Sequence, residues 1–168
     1  MRYSSVAVAA ALTLLTVSTA LHGQRADDQI DARSMALLAQ GKAEKAAGKF
    51  DAATDTLETA VAVDPRNRAA FVVLGQVAQA QNLPGKAIGL YHSALTLEPN
   101  DIDALQGEGE ALVTKGATNL AKANLDRIHT LCKAKACPQA NELAAVIAKG
   151  PPVMAASADA AKVTAAKE

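Results

Sequence analysis

Cys132, Cys137 and His129 are the residues of this chain whose types and spacing most readily suggest chemistry. His129 stands three residues before Cys132, so on a helix the imidazole and the sulfur share a face. A closed zinc site takes four ligands, and no fourth candidate stands near these three in the sequence. The C-x4-C spacing is not that of a thioredoxin-like redox motif, and no strand pattern surrounds it. In an oxidising compartment the two cysteines would pair with each other, closing a loop that the chain-entropy model values at about 2 kcal/mol. The disulfide is the expectation. A metal or redox role at His129, Cys132 and Cys137 is the weaker alternative.

His92 and Ser93 are the other pair that could be imagined in catalysis. Neighbouring residues on a helix point in different directions, and no acid is placed to orient the imidazole. There is no Gly-rich phosphate loop, no H-E-x-x-H and no G-x-S-x-G. A structural His92 and a non-enzymatic chain without cofactor or metal are therefore expected.

The compartment is read from the N-terminus. Arg2 precedes an almost unbroken apolar run from Val6 to Val17, and Ser18-Thr19-Ala20 supplies the small residues that a signal peptidase reads. This predicts a signal peptide over 1–20, cut after Ala20 or, alternatively, after Gly23, and a linker over 21–31. The run is shorter than the roughly 20 residues of a bilayer span, and no cysteine follows it for a lipoprotein cut. The mature chain is thus expected to be exported, to the periplasm or alternatively outside the cell, with no membrane span.

Charge and composition narrow the partners. Lys and Arg together number 17, as do Asp and Glu, and losing Arg2 with the leader leaves the acidic side ahead by one. That balance opposes a nucleic-acid partner or a polybasic membrane surface. Beyond the leader the aromatics are Phe50, Phe71 and Tyr91, too few for a stacking platform.

Any site must be positioned by the elements that a regular spacing marks out along the chain. Gly41, Gly75 and Gly109 are spaced by 34, as are Ala53, Ala87 and Ala121, Leu37, Phe71 and Leu105, and Leu57, Tyr91 and Leu125. Pro65 and Pro99 keep the same interval. A period of this length marks stacked helix hairpins. The frames are 34–67, 68–101 and about 102–135, each split into two amphipathic halves by a turn at Gly48 in the first and Asn82 in the second. Pro84 suits a first helical turn, and Asn67 or Asp101 can cap the helix that follows it. Where the helices of a hairpin cross, Gly41, Gly75 and Gly109 are expected to face Ala53, Ala87 and Ala121, because small residues let the axes approach. The third copy departs from the pattern. Glu108 stands where Leu74 does, Ile128 replaces the small Ala60 and Ala94, the closing proline is missing, and Gly107 joins Gly109 in one turn. Its first helix is expected to pack more loosely.

Over about 32–131 these frames resemble tetratricopeptide repeats. The resemblance implies an all-α fold, a right-handed superhelical stack of three helix-turn-helix units. Pro138 then opens an amphipathic stretch with Leu143, Val146 and Ile147 at helical spacing, expected as a capping helix over 138–149. The Ala-rich segment 150–168 is expected to be a disordered tail.

The resemblance also implies a protein-binding scaffold or adaptor that takes a peptide or helix of another protein on its concave face. The matching positions are Met35, Leu38, Lys42 and Lys45, then Val72, Gln76 and Gln79, then Gln106, Glu110 and Val113. That face runs from basic through amide to acidic, suited to a ligand with one acidic and one basic end. The clamp with which the family grips the two carboxylates of chaperone tails needs an Asn that these positions do not supply. The alternative is a self-associating structural module that buries Leu38, Val72 and Val113 in a second copy, making a homo-oligomer.

Overall fold

The structure, a computed structural model, describes residues 29–133 and 137–152. The leader, the linker up to residue 28, Ala134 to Ala136 and the tail from residue 153 lie outside the described residues. Among the described residues the chain forms seven helices: α1 (Ala32–Ala46), α2 (Phe50–Val63), α3 (Arg68–Ala80), α4 (Pro84–Leu97), α5 (Ile102–Thr114), α6 (Thr118–Cys132) and α7 (Pro138–Lys149). Successive pairs form three antiparallel hairpins, α1 with α2, α3 with α4 and α5 with α6, and α7 packs on α5 and α6.

The first helix of each hairpin is capped by a side chain. Asp31, Asn67 and Asp101 accept hydrogen bonds from the backbone N–H of Arg33, Ala70 and Ala104, groups that a helix start otherwise leaves unpaired. The second helices lack such caps and start from a tight turn instead. Lys49, Leu83 and Ala117 each donate a backbone N–H to the carbonyl five residues back, at 2.9, 2.8 and 2.8 Å. The turn requires a left-handed residue. Gly48, Asn82 and Gly116 supply it with φ of 71°, 58° and 78°. Asn tolerates this conformation better than most side chains, which explains how Asn82 serves in a glycine slot.

Ala53, Ala87 and Ala121 are wholly buried, as are Leu57, Leu105, Ile128 and Leu143. The glycine notches, however, do not face those alanines. A Cβ on Gly41 would come within 2.5 Å of the Leu57 side chain, one on Gly75 within 2.7 Å of the Tyr91 ring, and one on Gly109 within 2.7 Å of Leu143. Each notch receives a large side chain. In the third unit that side chain comes from α7, because α7 lies on α5 and delivers Leu143 to the place.

The expectation of a loosely packed first helix in the third unit is corrected by the burial of α5. Seven residues of α5 are buried, as many as in α3. Gly107 is no defect: a Cβ there would overlap the Tyr91 ring even more than one on Gly75. Glu108 is mostly buried and accepts from Asn124 Nδ2 at 2.8 Å, so its carboxylate is met within the hairpin.

Polar contacts tie hairpin to hairpin. Asn67 Nδ2 donates to Ser34 Oγ at 2.8 Å, and Ser34 Oγ donates to the Ala60 carbonyl at 2.7 Å. One unit further on, Arg68 pairs with Asp101 across the equivalent junction. At the first junction the chain entering α1 is held by Asp64, which accepts the Asp31 N–H at 2.9 Å and is itself gripped by Arg66. Hydrogen bonds from the Arg66 side chain and from the Asp31 and Arg66 amides hold the Asp64 carboxyl well below the usual carboxylate range.

Candidate protein-binding face

The first helices α1, α3 and α5 lie side by side, and one slot of the 34-residue period read across them changes charge in steps, Lys42, Gln76, Glu110. A concavity of about 420 Å3 opens at the basic end. Lys42 and Lys45 come to it from α1, Arg68, Val72, Val73 and Gln76 from α3, and Asp103 from α5. Lys42 is exposed and has no side-chain partner among the described residues. Lys45 Nζ donates to Gln76 Oε1 at 2.5 Å, which stands it over the groove and leaves its charge against a neutral amide. Arg68 and Asp103 belong to this end although sequence reasoning passed over them. Arg68 precedes Val72 by one helical turn and so shares its face, a signal already present in the spacing.

The opposite end is acidic. Gln106 Nε2 donates to Glu110 Oε1 at 2.8 Å and to Glu142 Oε2 of α7 at 2.7 Å, drawing the two carboxylates to one amide. Beside them a second concavity of about 390 Å3 is lined by Gln79, Pro84, Glu110, Thr114 and Val146, among others. Gln79 is held from below: Tyr91 Oη donates to its Oε1 at 2.5 Å, and its Nε2 reaches the Gly107 carbonyl at 3.4 Å. Burial pushes the Tyr91 phenol well above its usual range, and the Glu110 carboxylate adds to the effect.

Three of the apolar residues placed on this face by sequence are core residues. Leu38, Val72 and Val113 keep only 3, 7 and 1 % of their surface, because each packs into an apolar cluster with neighbouring helices; Val72 forms part of the groove floor. Met35 is exposed, at 46 %.

The stack of helix hairpins is similar to that of several solved structures. The first tetratricopeptide domain of Spaghetti (RPAP3), bound to the HSP90 peptide SRMEEVD, superposes with a TM-score of 0.64 at 20% identity, over 71% of this chain and 95% of that one. The Arabidopsis OM64 tetratricopeptide domain gives 0.64 at 14% identity, over 70% and 95%. The Yersinia enterocolitica type III secretion chaperone SycD, in complex with a peptide of the translocator YopD, gives 0.61 at 20% identity, over 73% and 92%. The chain has the tetratricopeptide-repeat fold. No protein-family model and no curated protein matches the sequence.

Within the tetratricopeptide frame the other sequence candidates fall away from the concave face. Cys132 and Cys137 are joined as a disulfide that ties the last residue of α6 to the residue preceding α7, with 6.1 Å between their Cα atoms. Both sulfurs are thereby committed, and His129 next to them is an exposed side chain. His92 is not without an acid, as its neighbours in sequence suggested: Glu108 of the next unit stands 3.8 Å from Nδ1, beyond a hydrogen bond. Ser93 Oγ donates to the Gly89 carbonyl at 3.0 Å, so no Ser-His dyad forms. Among the described residues no helix is long and apolar enough to cross a membrane.

Proposed function

We propose that this chain is a non-enzymatic scaffold of the cell envelope that binds a segment of another protein across α1, α3 and α5 and thereby supports assembly of a complex. The observation that carries the reading is the convergence of Lys42, Lys45 and Arg68 on a concavity floored by Val72 and Val73. Apolar floor with charged rim is what an extended peptide or a helix needs for affinity and register. The peptide complexes of RPAP3 and SycD support it by fold, since in both a tetratricopeptide domain holds a short piece of another protein. Lys42, Lys45, Gln76, Gln106 and Glu110 are the contacts we assign, with Met35 at the margin and Gln79 as a residue already engaged by Tyr91. The missing clamp Asn argues for a partner other than a chaperone tail.

The leader read from the sequence and the Cys132–Cys137 bond both favour an exported chain, periplasmic in the first instance. Self-association through Leu38, Val72 and Val113 loses ground, because those side chains already serve this chain's own core.

Capture of partners from the native envelope fraction by the mature chain, set against the Lys42→Glu, Lys45→Glu double variant, tests the reading. A protein retained by the parent and lost by the folded variant supports it. Identical captures by the two would remove the basic end from the binding face.

A further inference from the structure

Both ends of the concave face carry charge that the chain does not neutralise. At the basic end Lys45 meets only the neutral Gln76, and Lys42 meets nothing among the described residues. Arg68 is paired with Asp101, and the Asp103 carboxylate at the rim is engaged by Gln139 Nε2 at 3.1 Å. At the acidic end Glu110 and Glu142 share the neutral amide of Gln106, and no cation among the described residues pairs with either. A uniformly acidic segment would suit the first end and be repelled at the second, and a uniformly basic one the reverse.

From these two ends we infer that the partner segment is bipolar: an extended stretch with a carboxylate seated at Lys42 and Lys45 and, about six residues away, a cation seated at Glu110 and Glu142. The spacing follows from the fold. α1, α3 and α5 are successive neighbours, so the two ends are two interaxial steps apart, about 16–20 Å. Extended chain advances about 3.3 Å per residue, so five or six residues bridge the gap. Between the ends Gln76 Nε2 has no partner among the described residues and can donate to a main-chain carbonyl of the bridging stretch. The inference rests on the concave face being a peptide groove, and adds to it the charge order and the length of what lies there.

The test uses synthetic peptides blocked at both ends, titrated at low salt by fluorescence anisotropy against the mature protein. The probe has glutamate at its first position, lysine at its seventh, and alternating serine and valine between. Replacing its glutamate by glutamine should weaken binding to the parent about three- to fivefold, and leave binding to the Lys42→Gln, Lys45→Gln variant unchanged. Replacing its lysine by glutamine should weaken binding to the parent by a similar factor, and leave binding to the Glu110→Gln, Glu142→Gln variant unchanged. Moving the two charges to within two residues of each other should forfeit one of the two factors. If the peptide lacking lysine binds the parent as well as the probe does, and still responds to Lys42 and Lys45, the groove stands and the bipolar partner is overturned. If neither variant alters the binding of any peptide, the groove reading falls with it. Circular dichroism of both variants confirms that each is folded before it is titrated.

Discussion

The ring of Tyr91 occupies the space that a side chain on Gly107 would need. Tyr91 leaves α4 and enters between Gly75 of its own hairpin and Gly107 of the next, and its hydroxyl is fastened to Gln79 at 2.5 Å. One side chain thus packs against both the second and the third units. The ring is fully buried and bonded at its tip, so it has nowhere to swing.

Gly107→Ala should therefore destabilise the fold by about 1–3 kcal/mol, because overpacking outweighs the gain in helix propensity. Gly89→Ala is the control. Nothing lies within 4 Å of the Cβ it would add, and it should stabilise by roughly 0.5–1 kcal/mol. Urea denaturation of the two variants separates the effects, and a Gly107→Ala protein as stable as the parent would show that the ring can yield.

Tyr91 is the single tyrosine beyond the predicted leader, so its phenolate can be followed alone by ultraviolet absorbance. Burial raises its pKa above the value of about 10 that it has in an unfolded chain. The folded state thus favours the protonated phenol. That stabilisation is complete below the unfolded pKa and is lost as pH rises toward the folded one. The phenolate signal should appear only together with loss of helical circular dichroism. Titration near the ordinary value in a folded protein would contradict the buried, hydrogen-bonded ring.

At the other end of the pH scale Asp64 is the sensitive group. Its folded pKa lies below the unfolded value of about 3.9, so it stabilises the fold above that value and loses this contribution as pH falls through it toward the folded pKa. Asp64→Asn should lower the melting temperature at neutral pH and narrow the difference from the parent as the solution is acidified. Parallel melting curves at every pH would show that the carboxylate does not hold the entry to α1.

The Cys132–Cys137 bond closes a short loop between α6 and α7, and its removal should cost about 2 kcal/mol by loop entropy. Because α7 delivers Leu143 to Gly109, the loss should be felt first as faster amide exchange in α7 and the adjoining half of α5. Hydrogen exchange with and without reductant measures this, with the Cys132→Ser, Cys137→Ser double variant as the check on reductant effects. Unchanged protection of α7 would mean that Leu143 and Ala140 hold the helix unaided.

Much of the architecture is legible in the residue spacing. The 34-residue spacing of Gly41, Gly75 and Gly109 locates the first helices, and Pro84 and Pro138 mark helix starts because a missing N–H is harmless there. The charge order Lys42, Gln76, Glu110 was also legible, since slots at the repeat interval share one face. Leu38 and Val113 are core rather than surface because helical spacing fixes the direction in which a side chain points but not how far the neighbouring helix covers it. Gly107 looked like a weakness and Glu108 like a misfit, since their partners, Tyr91 and Asn124, lie 16 residues away on either side.

What the sequence determined by itself is the repeat: its period, the proline-marked starts of α4 and α7 and the polarity of its first-helix face, all of which follow from local spacing and backbone chemistry. What the tertiary structure decided is which large side chain fills each glycine notch, how Arg68 and Glu142 join the two charged ends, and that α7 reaches over α5 to fill the Gly109 notch. These depend on excluded volume between segments far apart in the chain, where a difference of a few tenths of an ångström decides whether Leu57, Tyr91 or Leu143 fits, and residue order carries no record of that distance.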